Sequence, residues 1–236
     1  RTESKTGKGH RGFSVTSSHN LTFEEAALRR DFTINAMGHN VLTQELVDPH
    51  HGQEDIQNKQ LRPVSAAFME DPLRVYRAIQ FAARFQFALS EDTLKYCVSM
   101  DTTELPKERI FEEIKILLLN ADKPSIGFEL MEPLNVLSHY PELEALKKCP
   151  QDPEWHPEGD VWVHTMMVID ECAALRTGDP VRDLVLMLGA ICHDFGKPGT
   201  TQFEEGRWRS KQHDIQGIKP TISFLKRLTD ENQLFD

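Results

Sequence analysis

The stretch ICHDFGKPGT, residues 191–200, sets His193 beside Asp194, with apolar residues before the pair and glycine, lysine and proline after it. Adjacent helix positions point about 100° apart. One ion at a helix end can still take both side chains if a facing helix supplies a third ligand. His164, inside the apolar segment VWVHTMMVIDECAAL, is placed to be that ligand. Imidazole plus carboxylate suits a divalent ion with open, water-bearing positions. Such an ion lowers the pKa of bound water and makes a nucleophile for phosphate esters. His213 and His156 are further imidazoles that can line the site, and Lys197 is a cation for a phosphate. The competing reading is an ordinary helix terminus, where a histidine suits the dipole.

The first half holds a different chemistry. Arg29-Arg30-Asp31 sets two fixed cations beside a carboxylate, and arginine's planar fork matches phosphate oxygens. In EDPLRVYR, Asp71, Arg74 and Arg77 are spaced by three, along one side of a helix. A carboxylate and a guanidinium side by side present acceptor and donor groups to a base edge. Arg109 and Glu113, at i and i+4, read as a helix brace. Alone, each cluster would pass for a solvated face with ordinary ion pairs.

The positioning elements follow from local signals. FSV is a short strand candidate. TFEEAALRR reads as a helix opened by a capping box of Thr22 and Glu25. FTINAMGHNV reads as a strand, and QELVDPHHG as a second one leading into a turn. From about Phe68 the pattern turns helical. Asp71 is the expected N-cap with Pro72 at the first helical position, and Leu73, Tyr76, Ala83 and Phe87 follow at helical spacing. Further helices are predicted over EDTLKYCVSM, PKERIFEEIKILLLN and SIGFELMEPLNVLSHYPELEALKK, and no further strand. KKCPQDPEWHPEGD, with Pro150, Pro153 and Pro157, cannot be continuous helix and marks a domain boundary. Two strong helices, a polar loop and a last helix complete the reading.

Composition sets outer limits. Of the 236 residues, 39% are apolar and 27% charged, and no apolar run is long enough for a bilayer. The four cysteines form no C-x-x-C pair, which favours reduced thiols in the cytoplasm. Net charge is −10, with 15 Lys+Arg against 17 Asp+Glu in residues 1–115 and 12 against 20 thereafter. The chain is therefore no wholesale nucleic-acid binder, although the arginine groups of the first half can hold phosphates locally. The opening RTESKTGKGHRGF reads like the interior of a longer protein.

His164, His193, Asp194, Gly196, Lys197 and the His213…Gly217 element together resemble the HD superfamily of metal-dependent phosphohydrolases. The resemblance implies metal ligation by His164, His193 and Asp194, with one more aspartate well downstream. Asp230 and Asp236 stand too close to the KRL helix to match it. The order RTE, RRDFTINAM, VDPHHGQEDIQNKQLRPV, EDPLRVYRAIQFAARF and ERIFEE resembles class II tRNA nucleotidyltransferases, the bacterial CCA-adding enzymes and their poly(A) polymerase relatives, over about residues 1–150.

That likeness implies an α+β architecture: the end of a polymerase-β-like head over residues 1–66, a helical neck over 67–150, and an HD domain over 151–236. It implies two Mg²⁺ held by paired aspartates, and attack of a tRNA 3′ hydroxyl on the α-phosphate of CTP or ATP. By the same likeness Asp71 and Arg74 read the Watson–Crick edge of the incoming base. Arg30 and Arg77 hold the nucleotide, Asp31 belongs to their motif, and Glu3 is a carboxylate of the catalytic strand. The D-x-D pair and the glycine-rich stretch are expected upstream of Arg1, and the tRNA-binding helices beyond the last residue. Gln80 stands where many relatives carry arginine. The expected partners are tRNA, CTP and ATP, with no membrane and no obligatory protein partner. The alternatives are a poly(A) polymerase, an HD phosphohydrolase with an RNA- or nucleotide-binding first half, and a helical scaffold.

Overall fold

The structure of the protein, a computed structural model, describes residues 2–5, 13–16 and 21–230. The chain divides into two compact units, residues 1–105 and 106–236.

In the first unit, strands β1 (Thr2–Lys5) and β2 (Phe13–Thr16) pair antiparallel, with Glu3 opposite Val15. Helix α1 (Phe23–Ala27) opens on the expected capping box. The Glu25 N–H donates to Thr22 Oγ1 at 3.2 Å and the Thr22 N–H to Glu25 Oε2 at 2.9 Å. The strand expected over FTINAMGHNV forms only near its end. A 3₁₀ turn, Thr33–Asn35, comes first, followed by the two-residue strand β3 (Gly38–His39) paired with β4 (Leu46–Val47). The reason is local: Asp31 Oδ1 accepts the Phe32 N–H at 2.8 Å and the Asn35 amide at 3.2 Å. Such side-chain bonds offer the backbone an alternative to a ladder.

Helix α2 (Gly52–Gln57) starts on a glycine because the Thr33 carbonyl presses close. A β-carbon there would stand 2.4 Å from that oxygen. The main helix of this unit is α3 (Leu73–Phe85). Pro72, not Asp71, stands at the N-cap, one residue later than expected, and Asp71 Oδ1 still accepts the Leu73 N–H at 3.1 Å. The helix ends at left-handed Gln86, so Phe87 lies beyond it. Its buried face meets the Phe32–Phe68 and Phe32–Phe81 ring pairs, with centroids 5.4 and 5.5 Å apart. Two-residue strands β5 (Gln60–Leu61) and β6 (Ala88–Leu89) pair in parallel, and helix α4 (Glu91–Ser99) follows.

The second unit begins with α5 (Lys107–Asn120), α6 (Ser125–Leu130) and α7 (Pro141–Glu144). The proline-rich segment then crosses, without regular structure, to α8 (Val161–Ala174), capped by Asp160, and α9 (Pro180–Cys192), capped by Asp179 with Pro180 at its first position. Helices α8 and α9 pack directly on each other. Arg176, just past α8, donates to the Leu118 and Ala121 carbonyls at 2.8 and 2.9 Å, satisfying orphan acceptors at the end of α5. The polar loop and the absence of strands predicted after α9 are both corrected. The short helix α10 (Lys197–Thr200) leads into hairpin β7 (Thr201–Glu204) and β8 (Arg207–Ser210), then α11 (His213–Gln216) and α12 (Ile218–Leu228). Glu205 and Gly206 both take positive φ at the hairpin tip, the primed turn that suits strand twist. Phe203 and Trp208 face each other across it, with centroids 5.2 Å apart.

Candidate functional site

The second unit gathers its histidines around one carboxylate. Asp194, 2% exposed, lies in the turn after α9. Its Oδ2 stands 3.1 Å from His193 Nε2 and 3.9 Å from His164 Nε2, and its Oδ1 stands 3.6 Å from His213 Nε2. The far side of each ring is already bound. The Nδ1 of His193 is 2.7 Å from the Ala190 carbonyl and that of His213 is 2.8 Å from the Ser210 carbonyl. A carbonyl only accepts, so those nitrogens carry the protons. His164 Nδ1 likewise donates to Glu158 Oε1 at 2.7 Å. When the rings are neutral, each turns an Nε2 lone pair toward a carboxylate, an arrangement that needs a cation at its centre.

The arrangement fits a divalent ion. With bonds of about 2.1 Å, neighbouring ligand atoms stand about 3.0–3.4 Å apart. The separation of 3.1 Å from His193 lies in that range, and those of 3.6 and 3.9 Å from His213 and His164 are somewhat wider. Asp194 Oδ2 is also buried without an aligned hydrogen-bond donor, although Lys197 Nζ lies 2.8 Å away. His164, His193 and Asp194 have ligand atoms all within 4.8 Å of one another. Lys197, itself buried, is held by Gln151 Oε1 at 2.7 Å.

Burial alone would raise the Asp194 carboxyl. The His193 ring and the Lys197 ammonium outweigh it and bring the group down to about 2. Burial pushes His164 below its ordinary value. At His193 burial acts the same way, but Asp194 prevails and the ring is raised.

Gly196 does not need glycine's conformational freedom. Its φ is −82°, open to any residue. It is glycine for closeness instead: a β-carbon would lie 1.9 Å from the His213 carbonyl oxygen. That approach brings α11, and with it His213, to the Asp194 side. Asp230 pairs with Lys107, and Asp236 lies outside the described residues. Two site residues escaped the sequence reading, Glu158 and Gln151. The signal for Glu158 was its place between Pro157 and Gly159, which rules out an ordinary helix-face role.

In the first unit the arginine clusters do converge. Arg77 Nε and Nη2 both reach Asp31 Oδ2, at 2.7 and 2.6 Å, and Asp31 is 7% exposed. Arg74 donates through Nη1 to the Ala67 carbonyl at 2.7 Å and through Nη2 to the Arg29 carbonyl at 2.6 Å. Its guanidinium also stands 5.7 Å from the Phe68 ring centre. Burial lowers the Arg74 pKa, against the pull of Asp31, Asp71 and Glu70. Arg30 is exposed and donates to the Asn35 carbonyl at 3.0 Å. Gln80 is buried and accepts from Arg84 at 3.3 Å.

A model of the poly A polymerase head domain matches residues 1–62. A model described as a probable RNA and SrmB-binding site of polymerase A matches residues 86–147. Two proteins called multifunctional CCA protein align along almost the whole chain. The one from Stenotrophomonas maltophilia K279a is 42% identical over 97% of this chain and 56% of its own length. The one from Cupriavidus metallidurans CH34 is 39% identical over 98% and 57%. A solved tRNA nucleotidyltransferase, complexed with a primer tRNA and an incoming ATP analogue, is 25% identical over 92% of this chain and 72% of its own, with a TM-score of 0.46.

The head-domain match lies within the first unit, and the second match runs from the first unit into the second. The chain belongs to the family of class II tRNA nucleotidyltransferases and poly(A) polymerases. It spans a little over half the length of the curated relatives it matches. The family implies divalent-metal dependence. Among the described residues no helix is long and apolar enough to cross a membrane.

Proposed function

We propose that the full-length protein is a cytoplasmic tRNA nucleotidyltransferase that adds CCA to tRNA 3′ ends from CTP and ATP. The reading divides this chain into the end of the head through residue 66, a neck over 67–150 and an HD domain over 151–236. The observation that carries it is identity of about 40% along nearly the whole chain to proteins called multifunctional CCA protein. In this account Arg30 and Arg77 hold the nucleotide, Asp31 keeps Arg77 in register, and Asp71 with Arg74 sets the choice of base. Glu3 is a carboxylate of the catalytic strand. Mg²⁺ serves the displacement. The test is a tRNA lacking its 3′ CCA, given CTP and ATP separately and together, with products sized. Two C and one A in order support the reading. Adenine runs without C would assign the poly(A) polymerase branch instead.

A second activity is favoured by the convergence of three Nε2 atoms on Asp194. We infer an HD-type phosphohydrolase site in which His164, His193 and Asp194 hold a divalent ion and His213 lines the same pocket. The bound ion supplies a Lewis acid and a water of lowered pKa. Lys197, fixed by Gln151, offsets the carboxylate charge and draws a phosphate toward the site. Hydrolysis of a phosphate monoester that stops on chelation and returns with added metal supports this. Hydrolysis indifferent to chelators contradicts it.

A further inference from the structure

We propose that Glu158 is a positioning residue that aims His164 at the metal. The inference rests on the metal reading above and adds a residue to it. Glu158 Oε1 accepts the His164 Nδ1–H at 2.7 Å, and the other nitrogen of that ring faces Asp194 Oδ2 at 3.9 Å. A carboxylate behind a ligating imidazole fixes its tautomer and ring orientation and raises its basicity. His156 braces the same oxygen: its Nδ1 stands 3.0 Å from Oε1, and its ring meets the His164 ring nearly edge-on at 83°. The side chain of Glu158 is only 15% exposed.

The turn that carries Glu158 is anchored at both ends. The His156 N–H donates to the Asp152 carbonyl at 2.8 Å. Gly159 takes φ +128°, a region open chiefly to glycine. Asp160 then caps α8 through the Val163 N–H at 3.0 Å while accepting the Lys148 N–H at 2.8 Å. Helix α8 therefore starts at a fixed point relative to Glu158, and His164 follows one turn later.

His156, Glu158 and His164 also satisfy the donor count of a second metal site. The spacing argues otherwise. An ion with bonds of about 2.1 Å holds neighbouring ligand atoms about 3.0–3.4 Å apart, and the shorter of the two separations here falls below that. The separations of 2.7 and 3.0 Å onto one oxygen are hydrogen bonds.

Two measurements on the full-length protein test this. The first uses ring ¹⁵N NMR of metal-free protein. His164 is expected as the Nδ1–H tautomer in the wild type and as a mixture in Glu158→Ala. An Nε2–H tautomer in the wild type would overturn the proposal whatever the metal does. The second titrates Mn²⁺ into wild type, Glu158→Ala, Glu158→Gln and His193→Ala by calorimetry. Glu158→Ala is expected to bind about 10- to 100-fold more weakly at unchanged stoichiometry. Glu158→Gln, which keeps an acceptor oxygen, should fall between, with the same melting temperature in chelator as the wild type. Unchanged affinity in Glu158→Ala would overturn the proposal. A stoichiometry lower by one ion in Glu158→Ala than in the wild type would make Glu158 a ligand and overturn it as well. Full binding in His193→Ala would instead bring down the metal reading beneath it.

Discussion

The carbonyl oxygen of His213 stands where a side chain on residue 196 would begin: a β-carbon on Gly196 would lie only 1.9 Å from it. Backbone cannot swing aside like a flexible side chain. Gly196→Ala is therefore expected to cost about 3 kcal/mol, the upper end for overpacking, and to weaken metal binding by moving α11. Gly189, inside α9, is the contrast, since its β-carbon would meet nothing within 4 Å. Gly189→Ala should gain up to about 1 kcal/mol. Urea unfolding of both variants checks the pair, and similar effects at the two positions would contradict the argument.

Arg77 supplies two nitrogens to the buried Asp31 Oδ2. Removing the guanidinium leaves a carboxylate short of its cation, which costs about 3 kcal/mol. Arg77→Ala should lower the melting temperature markedly, and adding Asp31→Asn should recover part of the loss. A double variant whose losses simply add would show that the two residues do not act as a pair.

Arg74 has a structural as well as a recognition role. Its guanidinium joins the Ala67 and Arg29 carbonyls. Arg74→Ala should lose about 1 kcal/mol for each part-buried acceptor left unpaired. In nucleotide addition it should raise incorporation of GTP and UTP relative to CTP and ATP more than it weakens tRNA binding. An equal loss across all four nucleotides would place Arg74 in the scaffold alone.

Asp194 carries the pH prediction. Its folded-state pKa is about 2 against an ordinary 3.8. A depressed carboxyl contributes stability above the unfolded value and loses it as pH falls through the folded one. The contribution is about 2 kcal/mol, present above pH 4 and fading between about 4 and 2. In chelator, the wild type should lose stability steeply over that window, and Asp194→Asn should show a flatter profile.

Local signals were the legible ones. The Thr22–Glu25 capping box, the Asp71-Pro72 helix start and the His193-Asp194 pair all act within a few residues, so spacing alone reveals them. The strand expected at FTINAMGHNV forms only near its end because Asp31 captures the Phe32 N–H and the Asn35 amide. The β7–β8 hairpin was readable from Glu205-Gly206 flanked by Phe203 and Trp208, but its polar sequence passed for a loop. Glu158, Gln151 and the Arg74 carbonyl contacts depend on tertiary placement. Gln151 reaches Lys197 across 46 residues and Arg74 reaches Arg29 across 45, distances no periodicity encodes.

The central claim is that one protein carries two metal-dependent chemistries at separate sites. Asp194→Ala in the full-length protein tests it most directly, assayed side by side for CCA addition and for phosphate-ester hydrolysis. The account predicts addition within about two-fold of wild type, about 0.4 kcal/mol on the barrier, and loss of metal-dependent hydrolysis. A matched loss of both activities, or hydrolysis that survives, would contradict it.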